Sequence, residues 1–487
     1  MEKKLFLILA IFLILLILIP FSYAYFLAPI KDDPDIIFST YFGGSGEDFA
    51  SCMAEGYSNE IYIAGQTQST DLPVNRNLSG FFPGSQDIFI ACFNPDVGNF
   101  TEITYFGGSG DENVKAIHFG EDGKIYISGS TSSTDFPVTP DAFQKSNSGK
   151  WDGYISVFDP KLEKLEFSSY IGGEEQDSIQ DMVIDENNYA YITGVTDSSS
   201  YPVLKDSFQG KKSGKRDGFV SIIDLNKGEI IHSTFLGGAS DDYGESLGID
   251  EDKNVYITGY SYSSKTRSFP LKNELFGPSP FSYDAFITSF YSDLSDIKYS
   301  TYFGGDSGDR GTDICVLEDG DVYLTGYTYS DNFPVVNAFQ NNFSGDKNSD
   351  AFIVRINSDC SEIIFSTYLG GTGNDFSNSI SIGEDGLIYI SGSTSSDDFP
   401  GVLNNPLIKD ENSEVDAFLT IFLPDAKNIV SSKKFGGEKF DSALALVDMD
   451  SGVCIAGRTS SNNFYLENPN FNNNEDSYDA FLTIFPK

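Results

Sequence analysis

Short runs in which apolar and small polar residues alternate recur along the chain from residue 36 to its end. SNSISIG (377–383) alternates in this way, and IYISG (388–392), with its kin IYIAG (61–65), VYITG (255–259) and VYLTG (322–326), reads as the return strand. A period of two marks a pleated, half-buried strand. Between the two runs stand turns such as Glu121-Asp122-Gly123, Glu318-Asp319-Gly320 and Glu384-Asp385-Gly386. Asp-Gly in that place predicts a tight hairpin, because glycine tolerates the positive φ the turn demands.

The return strand leads into a Ser/Thr-rich stretch ending in an aromatic residue (Leu72 in the first copy) and Pro73, Pro137, Pro202, Pro270, Pro334 or Pro400; the last copy has Tyr465 in that place. Proline cannot donate to a ladder, so the strand ends there and a loop opens. A third strand follows, always led by an aspartate: Asp87, Asp152, Asp217, Asp284, Asp350, Asp416 or Asp479. A second hairpin returns into runs such as STYFGG. The glycine pairs Gly43-Gly44, Gly107-Gly108, Gly172-Gly173, Gly237-Gly238, Gly304-Gly305, Gly370-Gly371 and Gly436-Gly437 are spaced 64 to 67 residues apart. One supersecondary unit is therefore copied seven times, and each copy needs neighbours to bury its faces.

Four strands per copy, joined by hairpins and short crossings, predict an all-β chain: a single seven-bladed β-propeller of four-stranded antiparallel blades over residues 31–487. Small residues such as Ala50, Cys52, Ala54, Ser379 and Ser381 place the strand after Gly-Gly innermost, near the axis. The run 36–42 has the character of an outermost strand, whereas 479–485 lacks that partner. The first strand is expected to pair in the last blade and close the ring, removing an exposed edge.

Residues 1–30 form a separate segment, expected as one hydrophobic helix. Lys3 and Lys4 precede an apolar run from Leu5 to Ile19, and no charge occurs from Leu5 to Ile30. A signal peptide with Ser22 and Ala24 at cleavage spacing and a retained transmembrane anchor both fit. Either places the rest extracellular, secreted or membrane-anchored. Asn77, Asn99 and Asn342 head glycosylation sequons compatible with that location.

Composition narrows the function classes. The formal net charge of −41 repels polyanions, which argues against nucleic acid and anionic membrane surfaces as partners. Five cysteines without framework spacing argue against a disulfide scaffold, and only Cys360, in the turn NSDCSE, reads as exposed.

The order STYFGG, a following acid, a turn acid with glycine, IYISGSTSSTDFP, PDAFQ and the Asp-led strand resembles the SBBP β-propeller repeat of exported and cell-surface proteins. The resemblance covers about residues 36 to 487 and implies the propeller fold and an exported location; it implies no reaction. The last copy departs most, with SKKFGG in place of STYFGG.

An acid stands four residues after each second glycine: Asp48, Glu112, Asp177, Asp242, Asp309, Asp375 and Asp441. The structural reading has each carboxylate accept backbone N–H bonds in the crossing loop; the functional one is a cation site, with Ca2+ as the candidate. Recurrence in every copy favours structure. The aspartates leading the third strands follow the same logic, and acidic turns such as Asp250-Glu251-Asp252 read as solvated hairpin tips. His118 and His232 lie within strand runs without a nucleophile motif, so no catalytic, cofactor-binding or metal-binding residue is assigned. The basic cluster 211–216 reads as a solvated loop.

The expectation is a non-catalytic scaffold that binds envelope proteins or surface glycans through the long loops before each Asp-led strand. The alternative is an extracellular carbohydrate-active enzyme using a carboxylate pair in the central funnel.

Overall fold

The structure is a computed structural model. It describes residues 36–487 except 77, 79–83, 265–267, 278, 280–281, 346, 403–406, 408–413 and 472–476. The segment read as a hydrophobic helix, signal peptide or anchor lies outside the described residues. Among those described, no helix is long and apolar enough to cross a membrane.

Seven four-stranded antiparallel sheets follow one another along the chain. Blades 1 to 6 comprise residues 48–106, 112–171, 177–236, 242–303, 309–369 and 375–435, each taking its strands in chain order. Blade 7 takes three strands from 441–485 and its fourth from Phe38–Phe42, which runs antiparallel to Asp479–Phe485 with Phe38 opposite Ile484 and Phe42 opposite Ala480. The ring is therefore closed by the strand read from sequence as its clasp.

Both faces of each blade are buried. The third strand of blade 6, Asp416–Phe422, is buried at every position, with Ala417 and Leu419 turned toward blade 7 and Phe418 and Phe422 toward blade 5. The apolar side chains among the described residues sort into seven clusters, each joining two neighbouring blades. No blade has a core of its own, which is why the unit had to be copied. At the clasp, the Phe42 ring lies 5.0 Å from that of Phe89 and 4.7 Å from that of Phe100, and Phe38 lies 4.6 Å from Phe93.

Two readings of turns need correction. Cys360 is buried, not exposed: it takes φ +56 in the hairpin, which turns its side chain into the cluster of blades 4 and 5. Asp250 is likewise no solvated tip. It accepts hydrogen bonds from the Asn254 amide (2.8 Å) and the Tyr256 hydroxyl (2.9 Å) and is buried.

The antiparallel order puts the Gly-Gly crossings and the long loops on one face of the ring and both hairpins of each blade on the other. Among the described residues, the long loops of blades 4, 5 and 7 do not stand free. They run back along the outermost strands, pairing Lys272 with Ser300, Val336 with Ser366 and Glu467 with Ser39. The glutamine of the AFQ and SFQ motifs fixes the base of such loops. Gln144 donates to Asp152 (2.7 Å) and accepts the Gly172 amide (3.0 Å), and Gln209 and Gln340 repeat both bonds. The loops thus cover edges that would otherwise present unpaired backbone.

Candidate functional site

Each acid after Gly-Gly opens an innermost strand and is buried. Its carboxylate accepts the amide of the second glycine: Gly44 to Asp48 (2.8 Å), Gly108 to Glu112 (3.0 Å), Gly173 to Asp177 (2.7 Å), Gly238 to Asp242 (2.6 Å), Gly305 to Asp309 (2.8 Å), Gly371 to Asp375 (2.8 Å) and Gly437 to Asp441 (2.7 Å). A serine just beyond the second strand donates to the same carboxylate, as Ser133 does to Glu112 (2.6 Å) and Ser396 to Asp375 (2.8 Å). The crossing from one blade is thereby tied to the first two strands of the next.

Burial raises the six aspartates of this set against the pull of their donors. Asp242 is pushed up to about 6, opposed by Ser261, Gly238 and Ser263 and helped by Asp217; Asp309 is pushed up to about 7. An acid whose folded pKa lies above its unfolded value holds its proton longer when folded. Stability therefore falls as pH rises from about 4 through 7, by about 1.4 kcal/mol per pH unit for each such acid. Urea denaturation should give a higher midpoint at pH 5 than at pH 8; a midpoint that rises over that interval contradicts the assignment.

The central channel carries a different kind of ring. Every innermost strand bulges at one residue: Ser51, Lys115, Gln180, Glu245, Thr312, Asn378 or Leu444. These seven line a channel cavity of about 220 Å3, and no two are alike. The position after each bulge is less varied: Cys52, Ala116, Asp181, Ser246, Asp313, Ser379 and Ala445. Of the small residues that placed this strand innermost in the sequence, Cys52 and Ser379 line the cavity.

Asp181 and Asp313 are the acid pair a funnel enzyme would need, and Ser246 Oγ lies 2.8 Å from one and 2.9 Å from the other. Each carboxylate also accepts a backbone amide from the following blade, Leu247 to Asp181 and Ile380 to Asp313, both at 2.9 Å. They act as brackets joining blades 3 to 6.

On the Gly-Gly face an arc of tyrosines crosses blades 4 and 5. Tyr243 and Tyr260 stack at 4.5 Å with an interplanar angle of 8°, and Tyr283 meets both Tyr260 (5.6 Å) and Tyr262 (5.1 Å). Tyr327 continues the arc to Phe376 of blade 6 at 4.9 Å. Two arginines are fixed into it. The Arg310 guanidinium lies 4.7 Å from the Tyr260 ring centre and pairs with Glu245 at 2.7 Å. Arg216 donates to the Tyr243 hydroxyl (2.9 Å) and pairs with Asp197 (3.0 Å). A pocket of about 260 Å3 opens beside them, lined among others by Trp151, Arg216 and Tyr243.

Sequence reasoning missed this arc, because its members sit singly in six different strands and loops. The available signal was the basic cluster 211–216, read as a solvated loop; its last member, Arg216, is instead half-buried in the site. His118 and His232 are half-buried on strands Glu112–Phe119 and Glu229–Leu236, away from the arc. Asn99 and Asn342 are exposed, and Asn77 lies outside the described residues.

The β-propeller repeat family SBBP matches residues 166–202, 233–264, 298–334 and 364–400. These four stretches are SBBP repeats. Each match spans the outermost strand of one blade, the Gly-Gly crossing and the inner two strands of the next, so SBBP repeats interlock across blade boundaries. The regulatory protein FlaEY of Caulobacter vibrioides (strain ATCC 19089 / CIP 103742 / CB 15) is 25% identical over 237 residues, 45% of this chain. The match spans about a quarter (24%) of FlaEY. Among solved structures, the WD40 β-propeller domain of Doa1 is 8% identical with a TM-score of 0.47, covering 91% of this chain and 96% of that one. BamB from Moraxella catarrhalis is 9% identical with a TM-score of 0.36, covering 90% and 85%.

Proposed function

We propose that this SBBP propeller is a non-catalytic extracellular binding scaffold whose recognition surface is the tyrosine arc of blades 4 to 6 and the adjoining pocket, and whose ligand is an uncharged surface glycan. The observation that carries this reading is the concentration of half-exposed rings and guanidinium groups at one place on a chain of net charge −41. Tyrosine and arginine dominate binding hot spots, because they offer large rigid area with a polar handle. Ring faces suit the apolar faces of sugar rings, and the hydroxyl and guanidinium edges suit their hydroxyls. Arg216 and Arg310 are each already neutralised by a carboxylate, which favours a neutral ligand over an anionic one.

The long loops, expected from sequence to carry recognition, contribute Trp151, Arg216 and Tyr283 from their ends, while Lys272, Val336 and Glu467 of such loops pair along blade edges. An exported location accords with the basic, then apolar, N-terminal segment.

The test is a glycan array with the full-length chain, followed by titration of the glycans retained. Tyr260→Ala and Arg310→Ala should each weaken binding about 10-fold or more, equivalent to about 1.4 kcal/mol. Exchanges on the hairpin face, such as Val97→Ser, should leave it unchanged. Capture of glycans that survives both arc substitutions contradicts the assignment.

A further inference from the structure

The acids after Gly-Gly do not stand alone. Across the first glycine of the pair, six of the seven face the aspartate that opens the third strand of the preceding blade. A methyl group built on Gly370 would lie 2.7 Å from Asp350 Oδ1 and 2.7 Å from Asp375 Oδ2, and one on Gly172 would lie 2.8 Å from Asp152 Oδ1 and 2.9 Å from Asp177 Oδ2. On Gly107 it would collide with Asp87 Oδ1 and meet Glu112 Oε2 at 2.5 Å. Only glycine leaves room for two carboxylates to converge there.

These six side chains are at most 1% exposed. Among the described residues, Asp87 Oδ1, Asp152 Oδ1 and Asp350 Oδ1 have no hydrogen-bond donor, and each is aimed at the carboxylate of the next blade. Two buried like charges at such range are costly unless a positive charge joins them.

The junction of blades 6 and 7 shows what the arrangement calls for. There the repeat reads SKKFGG, and Lys434 stands where other copies have Tyr41, Tyr105, Tyr170, Tyr302 or Tyr368. The Lys434 ammonium is buried, donates to the Ser396 carbonyl (3.0 Å) and lies 3.2 Å from Asp416, the third-strand aspartate of that junction. In this one copy the chain supplies the cation itself.

We propose that the acid pairs Asp87/Glu112, Asp152/Asp177 and Asp350/Asp375 are three inter-blade sites for a hard divalent cation of the Ca2+ class. Carboxylate oxygens are the donors Ca2+ takes, and its irregular shell of six to eight oxygens admits hydroxyls and water beside them. The aspartate comes from one blade and the second acid from the next, so an ion held between them would pin the blades together. The sites differ from the sequence reading in their composition: the acids after Gly-Gly supply only half of each.

The full-length chain, freed of metal with a chelator, is titrated with CaCl2 by calorimetry and with Tb3+ by tyrosine-sensitised luminescence. A chain this acidic gathers cations loosely, so both titrations are run at low salt and at about 0.5 M KCl, where surface attraction is screened. The expected result is about three equivalents bound at either salt, with a rise in Tm. Asp87→Asn should remove one equivalent while the other two remain, and Lys434→Tyr should add one by withdrawing the built-in ammonium. Binding that disappears at high salt, or a stoichiometry that neither substitution moves, overturns the proposal and leaves the pairs sharing protons instead.

Discussion

A chain that starts at residue 43 will not melt as a cooperative ring. Removing 36–42 takes away the fourth strand of blade 7 and strips Ile36, Phe38, Tyr41 and Phe42 from the clusters joining blade 7 to blades 6 and 1. Burying a large apolar side chain stabilises by roughly 1.5–3 kcal/mol. Four of them together match the roughly 5–15 kcal/mol by which a typical domain exceeds its unfolded state. Tyr41 adds a specific bridge, donating to the Ser461 carbonyl (2.8 Å) and accepting the Phe464 amide (3.0 Å). The strand Asp479–Phe485, buried at all seven positions, would be left as a bare edge, an invitation to pair with another molecule. Circular dichroism should show a broad transition at much lower temperature, and size exclusion should show oligomers. A sharp, monomeric transition near that of the intact chain would show that the clasp contributes little.

The second large effect is expected from a single methyl group. In the return strand of blade 6, a Cβ on Gly392 would sit under 3.0 Å from the Phe376 carbonyl oxygen and 2.9 Å from the Phe418 ring. The carbonyl is backbone of the innermost strand, placed there by the bulge between Ser377 and Ser379, and cannot turn aside without undoing that bulge. Gly392→Ala should cost about 3 kcal/mol, the upper part of the range for overpacking. Gly277→Ala, where a Cβ meets nothing within 4 Å, should stay within about 0.5 kcal/mol. Urea denaturation of the two variants makes the comparison, and equal midpoints would refute the steric account.

The same collision recurs at Gly65, Gly129, Gly194, Gly259, Gly326 and Gly457, each against the carbonyl of the residue after the buried acid. In the sequence these glycines read only as the ends of runs such as IYISG and VYITG. Their recurrence was visible, but its cause lies in another strand.

A repeated unit writes its architecture into the chain many times over, so errors in one copy do not obscure it. Alternation of apolar and small residues, Asp-Gly turns and the spacing of Gly-Gly were enough to determine four strands per blade, seven blades, the innermost strand and the clasp. The physical reason is that these features follow from local geometry, strand pleat and turn, which neighbouring residues dictate. What occurs once, or depends on which residues of different copies meet, only the tertiary structure decided. The tyrosine arc gathers rings from Tyr243, Tyr260, Tyr283 and Tyr327 across two blades, and Cys360 turns inward because of a single positive φ. Asp152 and Asp177 lie 25 residues apart in sequence, yet their carboxylates flank one glycine because the stacking of consecutive blades sets the third strand of one sheet beside the first strand of the next.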